Sequence, residues 1–170
     1  ALESIDTVFH LAGFAHDMRN PMAIENIYQR INVEYTIQLA ELAVKSKVKN
    51  FIFVSSVKAG GGLNFKKCID ESDNYEPEGV YGRSKRQAEI KLLEIGKKFG
   101  MNISIIRPSL VYGPNVKGNL GKMQSAINRG FFPPLPKTGN RRSMVHVDDL
   151  VRSLVFVAAS DLTNGEIFIV

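Results

Sequence analysis

One cysteine, Cys68, stands among 170 residues, so no internal disulfide can form, and a reducing, cytoplasmic location is expected. No run approaches about 18 consecutive apolar residues, so no membrane span is expected. The first residues, Ala1-Leu2-Glu3-Ser4-Ile5-Asp6, lack the basic-then-apolar order of a secretory signal. Gly and Pro are at ordinary levels, 14 and 7, and no segment is of low complexity, which excludes disordered and fibrous architectures. His10, His16 and His146 are not grouped with cysteine or carboxylates at ligand spacing, so no metal is expected. A strong charge is lacking too. The 22 Lys and Arg exceed the 17 acids by 5, and the clusters Lys45, Lys47, Lys49 and Lys97, Lys98 close helix patterns, where cations complement the helix dipole. Without a basic stripe interleaved with aromatics, nucleic acid is not an expected partner. A phosphate-bearing small molecule suits the same charge. What is present is a chain 44% hydrophobic, long enough for one core and short for two domains.

Apolar patterning alternates between two periods. Residues 6–12, 50–56 and 102–107 read as buried strands, the last stopped by Pro108, and 166–170 as a fourth. Between them, helical spacing runs from Ala23 to Val48 and from Tyr81 to Phe99, which Gly100 closes. A third helix pattern covers Val116 to Arg129 before Gly130, and a fourth opens at Asp148 or Asp149 and runs through Ala159. A polar stretch containing Gly60-Gly61-Gly62 and Asp70-Glu71 reads as a long loop, and Pro133, Pro134 and Pro136 as a turn. Strands apolar on both faces and alternating with helices call for an α/β doubly wound parallel sheet with right-handed crossovers.

Ligands of such sheets collect beyond the carboxyl ends of the strands. Here those ends are Ala12-Gly13-Phe14, Ser55-Ser56-Val57 and Pro108-Ser109-Leu110, each of which also reads as ordinary strand-to-loop punctuation. Tyr81 and Lys85, four apart, share a helix face, and an ammonium there would stabilise a phenolate and lower the Tyr pKa toward working pH. The spacing alone equally describes an exposed pair. The pair gains weight because it follows a strand ending in two hydroxyls.

Ordered motifs then give a resemblance. Residues 6–13 (Asp-Thr-Val-Phe-His-Leu-Ala-Gly), Asn32-Val33-Glu34-Tyr35-Thr36, residues 51–56 (Phe-Ile-Phe-Val-Ser-Ser), Tyr81-Gly82-Arg83-Ser84-Lys85, residues 107–114 (Arg-Pro-Ser-Leu-Val-Tyr-Gly-Pro) and residues 142–150 (Arg-Ser-Met-Val-His-Val-Asp-Asp-Leu) follow one another in the order of the extended short-chain dehydrogenase/reductases. Over essentially the whole chain, the sequence resembles their NAD-dependent epimerase/dehydratase family acting on nucleotide-diphosphate sugars.

That resemblance implies catalytic roles for Ser56, Tyr81 and Lys85. Tyr81 would exchange the proton of a sugar hydroxyl, Lys85 would lower its pKa and hold the nicotinamide ribose, and Ser56 would hydrogen-bond the reacting oxygen, with Ser55 its rival. It places Leu11, Ala12, Gly13, Asn32, Val54, Ser55, Tyr81, Lys85 and Pro108 against NAD, with NADP still open. Asn119, Leu120 and Arg142 would bind the phosphates of a nucleotide-diphosphate sugar, the first two at a helix start. Residues 1–170 then form a partial Rossmann-like domain, with part of the substrate-binding region at about 115–145.

Departures from the family pattern matter as much. No Gly-x-x-Gly-x-x-Gly occurs, and Gly60-Gly61-Gly62 follows the wrong strand to replace it. A sheet lacking its first βαβαβ half is expected, roughly 60 residues, with a further substrate-binding segment beyond Val170. Val57-Lys58 stands where dehydratases carry an Asp-Glu pair, which disfavours water elimination. Leu110 takes a position often held by a substrate-contacting Asn, and Tyr35 replaces a Gly. The reading is a nucleotide-sugar 4-epimerase of the surface-polysaccharide type, acting on a UDP-hexose or UDP-N-acetylhexosamine. An NAD(P)H-dependent 4-keto-sugar reductase, a hydroxysteroid dehydrogenase and a non-catalytic packing module stay open, and the family's habit of pairing through two long helices implies a homodimer.

Overall fold

The computed structural model describes residues 2, 4–15, 21–61, 68–73, 75–116, 118–131, 139 and 141–170, and the side chains of 21–24 are not described. His16, Gly62 and the Pro133, Pro134, Pro136 turn lie outside the described residues.

Four parallel strands form the main sheet in the order β1 (Thr7–His10), β2 (Asn50–Val54), β3 (Asn102–Arg107) and β6 (Ile167–Ile169). Because side chains alternate across a strand, β2 sends Phe51 and Phe53 to one face and Ile52 and Val54 to the other. On the first face, Phe51 and Phe53 join Ile103 and Ile105 of β3, Ala40 and Ala43 of helix α2 (Tyr35–Lys45), and Ala88 and Leu92 of helix α4 (Gly79–Phe99). On the second, Ile52 and Ile106 meet Leu150, Leu154 and Val157 of helix α6 (Val147–Ala158). Apolar strands need cover on both sides, and these helices supply it.

The long helical pattern from Ala23 is interrupted: α1 (Pro21–Tyr28) passes into a π-helical turn (Gln29–Glu34) before α2. Gly100, in the left-handed conformation at φ 71°, caps α4 as expected, its N–H bonded to the Gly96 carbonyl. A four-residue helix, α3 (Val57–Gly60), follows β2. Helix α5 (Gly118–Asn128) has no buried residue. Two three-residue strands, β4 (Leu110–Tyr112) and β5 (Met144–His146), pair in parallel as a separate small sheet leading into α6. His146 caps α6, its Nδ1 accepting from the Asp148 N–H at 3.3 Å, so the helix opens at Val147, just ahead of the expected Asp148 or Asp149.

Candidate functional site

The adjacent strands β1, β2 and β3 bring Leu11-Ala12-Gly13, Ser55-Ser56 and Pro108 to one end of the sheet. Ser56 caps α3, its Oγ accepting from the Lys58 N–H at 3.3 Å, and the Pro108 carbonyl accepts from the Val57 N–H at 3.2 Å. Helix α4 enters this end with its first turn. It comes close because residue 82 is glycine: a Cβ there would stand 2.6 Å from the Lys58 carbonyl oxygen. Tyr81, one residue earlier, is thereby brought beside the Ser56 side chain, close enough for the serine to lower its phenol. Its ring packs edge-on to Tyr28, with centroids 6.1 Å apart, and Tyr28 in turn meets Phe14.

Burial pushes the Tyr81 phenol above its ordinary value, the Ser56 hydroxyl pulls it down, and Tyr28 pushes it further up. The expectation of a phenol acidified by Lys85 therefore differs from what is found. Lys85 is buried, its ammonium donating to the Val54 carbonyl at 3.0 Å and lying 4.6 Å over the Phe53 ring. Burial lowers the ammonium to about 8, with Glu89 pulling the other way. His10 stacks on Phe53 and hydrogen-bonds Thr36 at 2.8 Å. Burial first and then Lys85 bring its imidazole down to about 4, so it sits beside the ammonium uncharged at neutral pH.

Asn32 is buried at 1% exposure on the π-helical turn. Its carbonyl accepts from the Phe14 N–H at 2.7 Å, and its amide donates to the Phe14 carbonyl and to Ser84 Oγ, both at 3.0 Å. Both amide hydrogens are thus engaged, and Asn32 ties the loop after β1 to α4. The Ser55 hydroxyl is also committed, donating to Glu89 at 2.5 Å, while Ser56 remains half-buried next to Tyr81. Sequence reasoning gave no role to Tyr28 or Glu89, nor to Thr36 and Ser84, which stood within its motifs. Glu89 carried a faint signal, a carboxylate one turn beyond Lys85 on the same face of α4, but nothing in the sequence named its partner.

Asn119 and Leu120 lie in the first turn of α5, and Asn119 and Arg142 are exposed. No hydrogen bond among the described residues joins them to the Ser56–Tyr81 cluster. Lys122, Ser125 and Arg129 line an open groove of about 580 Å³ along α5, and sequence reasoning had picked out none of the three. The described residues hold no cluster of three or more metal-ligating side chains and no helix long and apolar enough to cross a membrane.

The end of β1 has features that fit a nicotinamide dinucleotide. Leu11, Ala12 and Gly13 are exposed, and a Cβ on Gly13 would intrude to 3.1 Å from Lys85 Nζ and 3.3 Å from Asn32 Oδ1. Glycine leaves that space free. The ammonium has three N–H groups, and among the described residues only the Val54 carbonyl accepts from it, so donors remain for ribose hydroxyls.

Comparison with known proteins gives the family. The chain is 36% identical to a UDP-glucose 4-epimerase of Vibrio cholerae, over 99% of its own length and 52% of the relative's. It is 32% identical to an N-acetyl-alpha-D-glucosaminyl-diphospho-ditrans,octacis-undecaprenol 4-epimerase of Escherichia coli O157:H7, over 99% of the chain and 50% of that protein. Among solved structures, MoeE5 in complex with UDP-glucose and NAD superposes with a TM-score of 0.85 at 28% identity, covering 99% of this chain and 57% of that one. The chain spans about half the length of the curated relatives it matches. The family model described as NAD dependent epimerase/dehydratase matches residues 1–170, and the chain belongs to that family.

Proposed function

We propose that the protein containing this chain is a nucleotide-sugar 4-epimerase acting on a UDP-hexose or UDP-N-acetylhexosamine. The observation that carries the reading is the convergence of Ser56 and Tyr81, with Lys85 one helical turn on, at the end of the sheet where Gly13 leaves room. Two relatives named as 4-epimerases support it. Val57 and Lys58 open α3 where a dehydratase would need carboxyl groups beside Ser56.

Residues 11–13, Lys85 and the backbone around Pro108 would hold NAD, which when bound supplies a reversible hydride acceptor for the sugar's C4. Tyr81 takes the proton of the C4 hydroxyl as that oxygen becomes a carbonyl, and returns it when the alcohol is remade on the other face. Ser56 donates a hydrogen bond to the same oxygen throughout. Lys85, buried and cationic at neutral pH one helical turn from Tyr81, would favour the ionised phenol in the reaction. Asn119 and Arg142 would take the pyrophosphate, with Lys122 and Arg129 in the α5 groove adding positive charge. Exposed Leu42 on α2 and Ile90 on α4 suit a homodimer packed through these helices.

Incubating the complete polypeptide with UDP-N-acetylglucosamine or UDP-glucose should yield the 4-epimer without net change in nicotinamide redox state. Stoichiometric use of NAD(P)H with a 4-keto sugar, and no epimer, would instead establish a reductase.

A further inference from the structure

Tyr81, Lys85 and Glu89 succeed one another at four-residue steps, so their side chains share one face of α4. Tyr81 is half-buried at the open end of the sheet, Lys85 lies just inside it beside Gly13, and Glu89 is sealed deeper at 1% exposure. Its partner is Arg107, also 1% exposed, whose Nε donates to Glu89 Oε1 at 2.9 Å and Nη2 to Oε2 at 2.6 Å. Ser55 adds its hydroxyl to Oε1, and Arg86 lies 3.8 Å from Oε2 at the edge of the group. Gly60 makes room for the guanidinium under α3, since a Cβ there would fall 3.1 Å from Arg107 Nη1.

A fully buried ion pair is a poor device for stability, because desolvation offsets most of its attraction. Its geometry is nonetheless exacting: two parallel N–H···O bonds fix distance and angle together. Each member also adjoins a site residue in sequence. Ser55 precedes Ser56 at the end of β2, Arg107 precedes Pro108 at the end of β3, and Glu89 is one turn from Lys85 and two from Tyr81. Three elements meet at one carboxylate.

We propose that Ser55, Glu89 and Arg107 are positioning residues that lock α4 against the ends of β2 and β3 and so set the contact between the Tyr81 phenol and the Ser56 hydroxyl. The kinetic consequence rests on the epimerase reading; the geometric one does not. Loosening the lock lengthens the Ser56–Tyr81 contact, and because that contact lowers the phenol, the phenol then titrates at higher pH.

The test uses the complete polypeptide with Ser55→Ala and with the double change Glu89→Gln/Arg107→Met, which removes both charges together and leaves neither ion unpaired. Tyr81 ionisation is followed by phenolate absorbance, with Tyr81→Phe as the subtraction blank, and no turnover is needed. The midpoint should move upward in both variants, and Ser55→Thr, which keeps the hydroxyl, should restore it. With substrate, kcat should fall about 10–100-fold with KM little changed, as a misplacement near an ångström costs. A lower melting temperature with an unmoved Tyr81 midpoint and unchanged kcat would overturn the proposal, leaving a merely structural ion pair. A shifted midpoint with Tyr81→Phe still fully active would uphold the lock and sink the epimerase reading instead.

Discussion

Two regions of this chain are built on opposite plans. At the ends of β1, β2 and β3, Asn32, Ser55, Lys85, Glu89 and Arg107 are at most 3% exposed, and each is hydrogen-bonded to a residue distant in sequence. Along α5 nothing is buried, Asn119 and Lys122 on it and Arg129 just beyond it are exposed, and so is Arg142 ahead of β5. The contrast separates two physical tasks. On the proposed function, the buried groups fix the separation of the Ser56 and Tyr81 hydroxyls that would exchange a proton, whereas the exposed ones would keep their hydration until a charged ligand arrives. The first region should therefore respond to mutation in stability and rate together, the second in affinity alone.

The largest effect expected is on turnover: Tyr81→Phe in the complete polypeptide should cost about 10²–10⁴-fold in kcat with the fold intact by circular dichroism. Full activity would erase the distinction between the regions. Next is Glu89→Ala, which strands the Arg107 cation inside the protein and should lower unfolding stability by about 3–5 kcal/mol in denaturant titration. At the other pole, Arg142→Ala should raise KM about tenfold, the loss of one charge-assisted contact, while the denaturation midpoint stays within about 0.5 kcal/mol of the parent. A large loss of stability there would show that the segment ahead of β5 is bound to the core after all.

A further effect concerns pH. His10 is lowered to about 4 in the folded chain from an ordinary 6.5, so between those values the unfolded state binds more protons. Stability should fall as pH drops from about 6.5 toward 4, and His10→Gln should flatten that slope in thermal melts. Lys85, lowered to about 8, gives a second window. From there up to its ordinary 10.5 the unfolded chain again holds more protons, so its contribution to stability improves as pH rises, a gain that Lys85→Met should lack.

The anchored region was the more legible of the two in sequence, but only in part. Strand β2 and helix α4 announce themselves through an unbroken apolar run, helical spacing and a closing glycine, so Ser56, Tyr81 and Lys85 could be placed at one sheet end before any coordinates. Glu89 and Arg107 could not. Both belong to types that normally face water, their partnership spans 18 positions, and only the packing of α4 over β3 makes it. The strands β4 and β5 escaped because each is three residues long and partly exposed, whereas the equally short β6 lies in the continuous apolar run 167–170. Asn32 was marked as a cofactor neighbour through the resemblance, and its engagement with Phe14 and Ser84 became visible only with the π-helical turn.

That turn has a consequence for chain length. The Tyr35 N–H reaches back five residues to the Arg30 carbonyl, so one residue more than a regular α-helix would use is accommodated between Gln29 and Glu34. Excising a single residue there would let ordinary winding resume with α1 and α2 keeping their directions, because the wide turn and the ordinary one each close a full circle. What would change is the register inside the turn, where Asn32 holds the Phe14 backbone and Ser84. A one-codon deletion that spares Asn32 would thus leave Tyr28 facing Tyr81 and draw the amide off the loop that follows β1.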